Sequence, residues 1–539
     1  MKKYFVKDKI LGLNVVLLTL LNSVGSVGIA YILQKIVDSA VNKDLLSFKR
    51  ILGISIGYFL MFGVINYIYK LLSSMMVTRV IKDIRTDVFT FTIDSEYEEL
   101  SERNMGNIMS ILSNDTKVIE DDYIKSIFIV IENIITFVIT LIAFVYISPL
   151  VTICLIAGVG LLGTIPNFVG KLLEKKQSIF SEKNAQFIRS VKDYLDGIEV
   201  IKSFSKEYIF KKEFEHSNLE LGKGKLSVDR IQAIGDSLSF MFGFLLMVIV
   251  IMVSAYQVLM GVFSLGTLIA LVQLSNTFVN PIIQLLGNIA KIKGCHPIIK
   301  KIEENRNIND EKDGKQKNKK KIQNLITLKK ISYEVDNRII IENIDLDIEK
   351  GKKYLLIGKS GSGKSTLLKI LAGLIKNYQG EIICDERNIS IESSNYYENV
   401  SIVNQNVYVF DKSIKENILL GEVEEKEKLQ KAIEDSCLQE LINKSRNRGV
   451  GENGRLLSGG ERQRIAIARA LYHRKEVLLL DEITSSLDRE TAKKIERKLI
   501  SNKNLTVISV CHRVEQDNIN LYHKVMEMND GQMSIITER

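Results

Sequence analysis

Residues 358–365 read Gly-Lys-Ser-Gly-Ser-Gly-Lys-Ser and fit the phosphate-binding pattern G-x-x-x-x-G-K-S. An apolar run, 353–357, precedes them and predicts a buried strand, and helix-forming residues follow. In such a loop the glycines let backbone N–H groups wrap phosphate oxygens, and the helix N-terminus adds a positive end. Lys364 would reach the β- and γ-phosphates, and the Ser365 hydroxyl would bind Mg²⁺. The residues predicted to hold ATP are Gly358, Lys359, Ser360, Gly361, Ser362, Gly363, Lys364, Ser365 and Thr366.

A second apolar run, 477–480, ends in the acid pair Asp481 and Glu482. A carboxylate at the end of a strand beside a phosphate loop would hold Mg²⁺, directly or through water. An aspartate there could instead cap a helix. Two adjacent acids directly after four aliphatic residues favour the metal site.

Between these two elements, residues 457–464 read Leu-Ser-Gly-Gly-Glu-Arg-Gln-Arg. This segment resembles the signature sequence of the ATP-binding cassette (ABC) superfamily. In that family the signature binds the γ-phosphate of a nucleotide held by a second copy of the domain. The resemblance implies that Ser458, Gly459 and Gly460 complete a partner's site and that the chain works as a dimer.

Five other positions match motifs of the same family. Asp481 resembles the aspartate that holds Mg²⁺, and Glu482 resembles the catalytic glutamate, which activates the attacking water as a general base. Gln405 matches the glutamine that senses Mg²⁺ and contacts the cytoplasmic loops, which implies a catalytic and a metal-binding role. Asp488 matches the family's D-loop, which crosses the dimer interface. His512 matches the switch histidine that bonds the γ-phosphate.

The chain departs from the family where adenine is expected to stack. The family pattern resembles V-S-F-x-Y, whereas residues 331–335 read Ile-Ser-Tyr-Glu-Val. Either Tyr333 takes the stacking role after a register shift or adenine packs on Val335, and Tyr333 is the prediction. Stacking contributes about 1–3 kcal/mol per base, so its loss would weaken ATP binding about ten-fold or more.

Six apolar stretches precede this domain, each long enough to cross a hydrocarbon core about 30 Å thick as a helix. So many in the first 290 residues argue against the core of a soluble protein. The two long connections, after the second and fourth stretches, are rich in charged residues, which places them and the N-terminus in the cytoplasm. The stretches lie at about 10–37, 51–76, 124–148, 150–172, 237–262 and 265–289.

This order resembles the membrane domain of ABC exporters, and residues 105–115 and 197–207 match its two coupling helices. The resemblance implies a multidomain membrane protein: an all-α six-helix transmembrane domain (1–300), a polar Lys-rich linker (301–323) and an α/β P-loop ATPase domain (324–539). It implies a half-transporter, multi-pass in the bacterial plasma membrane, with the nucleotide-binding domain in the cytoplasm.

The expected partners are a second half-transporter, membrane lipid and a small-molecule or peptide substrate. Because every catalytic motif is intact, a homodimer and a heterodimer both stay open. ATP-driven export is the predicted function, and an exporter-fold importer or an ATP-gated channel is the alternative. The apolar spans argue against the soluble members of the superfamily that act in DNA repair or translation.

Charge and cysteine content exclude other classes of function. The net charge of +9 comes largely from the Lys-rich linker and the flanks of the spans, so nucleic acid is not an expected partner. The five cysteines have no C-x-x-C spacing, and neither a zinc site nor a disulfide framework is indicated.

Polar residues inside the predicted spans are candidates for substrate contact, because such residues are costly in lipid. They could instead bond neighbouring helices or lie outside the lipid. The candidates are Glu132, Gln273, Asn276, Asn280 and Gln284.

Overall fold

The computed structural model describes most of the chain in two compact units. One unit is Met1–Ile93 with Gly106–Ile308, and the other is Asp94–Met105 with Asn309–Arg539. Of the predicted linker, residues 301–304 are described, as the end of a helix, whereas residues 305–323 and His512 fall outside the described residues. The residues described are 1–95, 97–102, 105–162, 165–304, 325–335, 337–385, 387–388, 399–445, 448–473, 475–483, 486–511 and 519–538.

The membrane unit is helical, and its longest helices contain the apolar runs. The segment between α5 and α7 continues as π-helical and α-helical turns, Ile111–Asp115, Thr116–Val118 (α6) and Ile119–Ile124. The helices are α1 (Lys2–Val6), α2 (Lys9–Val41), α3 (Leu45–Asp94), α5 (Met105–Ser110), α7 (Lys125–Ile147), α8 (Pro149–Leu162), α9 (Ile165–Asp196), α10 (Ile198–Ser203), α11 (Glu207–Leu259), α12 (Leu265–Gly294) and α13 (His296–Glu304).

Five described helices are long and apolar enough to cross a membrane, and they match five of the six predicted spans. The remaining span, 150–172, coincides with α8 and the start of α9, between which residues 163–164 lie outside the description. Helices α3 and α11 are 50 and 53 residues long. At 1.5 Å per residue both helices are longer than the bilayer is thick, so they extend past the lipid.

Two glycines on α2 make room for aromatic side chains of α3. A Cβ on Gly25 would lie 2.4 Å from the Phe62 ring, and one on Gly28 would lie 2.4 Å from the Tyr58 hydroxyl. That hydroxyl donates to the Gly25 carbonyl at 2.5 Å. The aromatic rings of α3 therefore pack directly on the backbone of α2.

The second unit contains two sheets. Strands β2-β1-β4-β5 form an antiparallel sheet, and β10-β9-β3-β8-β7-β6 form a sheet in which only β10 runs antiparallel to its neighbour. The strands are β1 (Leu325–Val335), β2 (Arg338–Glu349), β3 (Lys353–Ile357), β4 (Gln379–Cys384), β5 (Arg387–Asn388), β6 (Val400–Val403), β7 (Val477–Asp481), β8 (Thr506–Cys511), β9 (Lys524–Asn529) and β10 (Gln532–Glu538).

Helices flank the parallel sheet, and one group of them forms a separate core around Tyr472 and Ile465. Within that group Asn417 is fully buried, and its side chain bonds the backbone of Phe410 and the Arg469 guanidinium. The helices of this unit are α4 (Tyr97–Glu102), α14 (Lys364–Leu371), α15 (Ile414–Leu419), α16 (Lys426–Asp435), α17 (Gln439–Ser445), α18 (Gly459–Tyr472) and α19 (Arg489–Ser501), with a 3₁₀ turn at Glu452–Gly454.

The parallel strands bring separate motifs to one edge of the sheet. Strand β3 ends before the phosphate loop, β7 ends at Asp481, and β6 ends two residues before Gln405. Strand β8 ends at Cys511, immediately before His512. Ligands bind at the carboxyl ends of the strands in open α/β sheets, so this edge is the candidate site.

Candidate nucleotide site

The phosphate loop has a backbone that only glycine adopts without strain. Gly358, Gly361 and Gly363 have φ of +150°, +81° and +100°. A Cβ on Gly358 would lie 2.2 Å from the Met528 carbonyl oxygen, and one on Gly363 would lie 2.7 Å from the Ile340 carbonyl oxygen. The sequence pattern therefore reflects steric need as well as chemistry.

Lys364 is buried at the first position of α14, with 4% of its surface exposed. Its Nζ donates to the carbonyl oxygens of Gly358 and Lys359, at 2.9 and 2.6 Å, so the loop curls around the ammonium group. Burial lowers the pKa of Lys364, and the charges of Glu482 and Asp481 oppose that shift. The lysine is thus a positive centre between the loop and the acid pair.

The acid pair follows a strand that is buried along its whole length. Asp481 is 8% exposed, and its Oδ1 is buried with no hydrogen-bond partner in the described part of the chain. An unpaired carboxylate oxygen in such a place is costly unless a cation binds it. Nearby motif residues supply further oxygen atoms, because the Ser365 hydroxyl is exposed and Gln405 has an amide oxygen.

These oxygen donors fit Mg²⁺, which is ordinarily bound by one or two carboxylates together with phosphates and water. Ser365, Gln405 and Asp481 are the residues that would hold the ion. The fit rests on the unpaired Oδ1 and on a donor set made only of oxygen.

Gln405 and Glu482 meet at the edge of the sheet. The Gln405 Nε2 donates to Glu482 Oε2 at 3.0 Å. Glu482 has φ +52°, and its backbone N–H donates to the Val510 carbonyl at 3.2 Å. A non-glycine residue held in the left-handed region at the end of a strand is typical of a functional position. Here that backbone turns the carboxylate toward Gln405.

The thiol of Cys511, at the end of β8, is no candidate nucleophile. Burial raises its pKa to about 12, so the reactive thiolate is scarce at neutral pH. Its neighbour His512 lies beyond the described residues, and its switch role stays a prediction.

The signature segment begins a helix. Ser458 is the N-cap of α18: its Oγ accepts from the Glu461 N–H at 3.2 Å, and Glu461 Oε2 accepts from the Ser458 N–H at 2.8 Å. This capping box leaves Ser458 itself exposed. Helix N-termini present N–H groups and partial positive charge, so this one suits a phosphate.

The signature packs against the segment that precedes α19. A Cβ on Gly460 would lie 2.7 Å from the Ser486 carbonyl oxygen, so only glycine fits there. Asp488 caps α19 through a bond from the Thr491 N–H at 2.9 Å, and that bonding lowers the pKa of Asp488. Asp488 therefore has a structural role within the chain as well as its predicted place at an interface.

Within the chain, the signature is not joined to the phosphate loop. No hydrogen bond or ion pair in the described ranges connects residues 458–460 with residues 358–366. The structure thus brings Lys364, Asp481, Glu482 and Gln405 together. The signature segment is not bonded to the phosphate loop of its own chain.

Tyr333, the predicted adenine contact, lies on β1 with its ring packed against the sheet core. Its hydroxyl donates to Glu98 on α4 at 3.4 Å, and the backbone N–H groups of Lys376 and Asn377 donate to the same carboxylate. Val335, two residues on, is 42% exposed. Sequence analysis missed Glu98, because no motif marks a carboxylate of α4 that meets β1 only in the folded chain.

Two family models match the chain, one in each half. The model described as "ABC transporter transmembrane region" matches residues 13–282, and that described as "ABC transporter" matches residues 341–485. The first alone spans half of the chain. The chain belongs to the ABC transporters. This confirms the predicted family and the predicted fusion of a helical transmembrane domain with an α/β ATPase domain.

Similar proteins cover nearly the whole transporter. An ATP-dependent lipid A-core flippase of Haemophilus influenzae is 25% identical over 92% of this chain and 86% of its own length. The transport/processing ATP-binding protein ComA of Streptococcus pneumoniae is 28% identical over 94% of this chain and 72% of its own length. A bacterial Atm1-family ABC exporter with ATP bound has the same fold, at a TM-score of 0.82, 19% identity and coverage of 98% and 95%.

This ABC transporter is thus a multi-pass membrane protein of exporter type that binds nucleotide and couples ATP hydrolysis to transport.

We predict that Gly363→Ala lowers the thermal stability of the ATPase domain more than Gly361→Ala does. Both glycines have positive φ, which costs an alanine about 1–2 kcal/mol. Only at Gly363 would the new Cβ also collide with a backbone oxygen, whereas nothing lies within 4 Å of Gly361. The measurement is the unfolding temperature of the purified, nucleotide-free transporter by differential scanning calorimetry. Equal losses of thermal stability in the two variants would contradict the steric contact described at Gly363.

Proposed function

We propose that this chain is one half of an ATP-driven exporter and that two such halves hold two ATP molecules between them. Each nucleotide lies between one phosphate loop and the Ser458–Gly460 segment of the other half. The supporting observation is the exposed N-terminus of α18, which has no bond to the phosphate loop of its own chain. A second half supplies what each site lacks.

The proposed reaction uses residues gathered at the carboxyl edge of the sheet. When bound, Mg²⁺ neutralises charge on the β- and γ-phosphates. Lys364 and the loop N–H groups hold those phosphates in place. Glu482, positioned by Gln405, accepts the proton of the attacking water as the water oxygen bonds to phosphorus and the bond to ADP breaks. Asp488 and His512 contribute at the interface and the γ-phosphate, as the family resemblance implies.

Hydrolysis then changes how firmly the two halves are held together. The γ-phosphate bridges them, so its release removes contacts that exist only in the closed state. Shifting an equilibrium from 1:99 to 99:1 requires about 5.5 kcal/mol of differential binding. Two sets of charge-assisted hydrogen bonds, one for each nucleotide, are of the right size to supply it.

The proposed cargo is a lipid, a drug-like compound or a peptide. The similar flippase and ComA represent two of these classes by name. On α12, Asn276 and Asn280 expose amides on a membrane-spanning helix, which fits a wall of the transport path better than a surface in lipid. An importer or an ATP-gated channel of the same fold is the second candidate.

Transport direction is tested with inside-out membrane vesicles, which expose the ATPase domain. We expect ATP-dependent accumulation of at least one probe among a fluorescent phosphatidylethanolamine, the dye Hoechst 33342 and a fluorescent decapeptide. Vesicles with Lys364→Ala serve as the control, since that variant loses its phosphate contact. ATP-driven loss of probe from preloaded vesicles would instead identify an importer.

Glu482→Gln should slow ATP hydrolysis by about 10²–10⁴ and leave ATP binding intact, because it removes the general base and keeps the shape. Glu476→Gln is a matched control just before the same strand, and it should hydrolyse ATP at the normal rate. Turnover and nucleotide affinity are measured on the purified transporter. Near-normal turnover of Glu482→Gln would refute the role of Glu482.

Mixed dimers test the shared site directly. Two copies with different tags are co-purified, one with Lys364→Ala and the other with Ser458→Arg. If sites form between chains, both lesions fall in one site and about half the activity remains. Placing both changes in one copy, beside an unmodified copy, damages both sites and abolishes activity.

The reverse pattern would mean that each chain completes its own site. Tags that never co-purify would contradict a homodimer and point to a different half-transporter as the partner.

A further inference from the structure

A carboxylate, Glu132, lies within the apolar span of α7. It is roughly 23 Å along the helix from the end at Ile147, a distance that a core about 30 Å thick still covers. Its side chain is partly exposed. Ionisable residues at such depth are costly and are by default candidates for function.

Uncharged donors from two other helices hold both oxygens of this carboxylate. The Asn22 Nδ2 on α2 donates to Oε1 at 3.2 Å, and the Tyr69 hydroxyl on α3 donates to Oε2 at 3.0 Å. The Asn66 Nδ2 donates in turn to the Asn22 Oδ1 at 3.1 Å. These bonds connect the Glu132 side chain to α2 and α3.

No lysine or arginine of the described chain forms an ion pair with Glu132. The nearest basic side chains along the three helices are Lys70 and Lys125. Lys125 is already paired with Glu120 and Asp121, at 3.0 and 2.7 Å. Lys70 follows Tyr69 directly but is exposed, whereas Tyr69 is 6% exposed. Within the described residues, the Glu132 carboxylate therefore has no basic partner.

The last two spans also offer nothing to an anionic cargo. Residues 237–290 contain no charged side chain. A cavity of about 110 Å³ between α11 and α12 is lined by aromatic rings, such as Phe240 and Phe244, and by the amides Asn276 and Asn280. Such a wall suits an apolar or aromatic body that carries no negative charge.

We propose that Glu132 binds the cationic group of the cargo, an ammonium or another organic cation with an apolar body. The proposal rests on the proposed export function and adds the class of cargo to it. A cation would supply the charge that the chain leaves unbalanced, and the Asn22 and Tyr69 donors hold the carboxylate in place to receive it.

Helix α3 connects this position to the ATPase unit. It carries Tyr69 and Asn66 and continues unbroken to Asp94, where the segment Asp94–Met105 that groups with the ATPase unit begins. A cation that rearranges the bonds of Tyr69 acts on this helix, so bound cargo should stimulate hydrolysis.

The test uses tetraphenylphosphonium, a permanent cation, and its neutral counterpart triphenylphosphine oxide. Binding of each is measured on nucleotide-free transporter in phosphatidylcholine nanodiscs. We expect Glu132→Gln to weaken binding of the cation at least about ten-fold and to leave binding of the neutral probe unchanged. The same variant should keep basal ATP hydrolysis and lose stimulation by the cation.

Asp38→Asn is the matched control, because it also removes a carboxylate from a membrane helix. Asp38 accepts from the Gly266 N–H at 3.0 Å near the end of α2, far along the helix from Asn22. That variant should bind the phosphonium as the unmodified protein does.

A second measurement uses the unmodified protein, in case Glu132→Gln does not fold. Dicyclohexylcarbodiimide adds to carboxyl groups in apolar surroundings, and mass spectrometry locates the adduct. Phosphonium should protect Glu132 from the reagent, and the neutral probe should not.

Equal phosphonium affinity in Glu132→Gln, or no protection of Glu132, would overturn the cation site. A shift only in the pH profile of transport, with phosphonium binding unchanged, would also overturn it and would indicate a proton site. Because binding of the two probes is measured without ATP, the test of the cation site does not depend on whether the vesicles show export.

Discussion

A buried negative charge that needs a positive partner organises the ATPase domain. Asp481 ends a strand buried along its whole length and keeps one oxygen unpaired within the described residues. Other strands of the same sheet supply the polar groups near it, because parallel strands end at the same edge. Lys364 begins the helix after β3, and Gln405 follows β6. The lysine is itself held by carbonyl oxygens of the glycine loop. A site built in this way is one that phosphate and a hard cation would complete together, since either alone would leave charge uncompensated.

The same geometry supports the proposal that one chain does not complete a nucleotide site alone. The strands gather one half of the nucleotide site, whereas Ser458 stands at the start of α18, a helix whose core surrounds Tyr472. A capping box already holds the serine, which stays exposed at the helix N-terminus and available to an outside anion. Gly460 fixes this helix against Ser486, and Asp488 caps the next helix. A phosphate held by another chain would thus contact the N-terminus of α18, and the position of that helix is coupled to the segment before α19.

The features that could be predicted from the sequence are those that depend on a local pattern of residues. Glycines with positive φ, acids after aliphatic strands and apolar runs of bilayer length each follow from a local steric or solvation requirement, so the fold class and the residues around Lys364 could be named in advance. Contacts between distant segments could not. Nothing near Tyr333 indicates that its hydroxyl meets Glu98, and nothing near Glu132 indicates that Asn22 and Tyr69 hold it. Polar residues in spans could equally have bonded neighbouring helices, and Glu132 does so.

Tyr333 shows how one such contact changes the interpretation of a site. A tyrosine that stacks on adenine needs an exposed ring, but this ring packs on the sheet core while its hydroxyl bonds Glu98. The Glu98 carboxylate also accepts from two backbone N–H groups after α14, the helix that begins at Lys364. The tyrosine therefore joins β1, the loop after α14 and the segment that follows α3. With that role occupied, Val335 is the residue left exposed at the end of the strand, and an aliphatic contact with adenine is weaker than stacking. If adenine packs on Val335, we expect nucleotide affinity to depend chiefly on the phosphates, the part of ATP that hydrolysis changes.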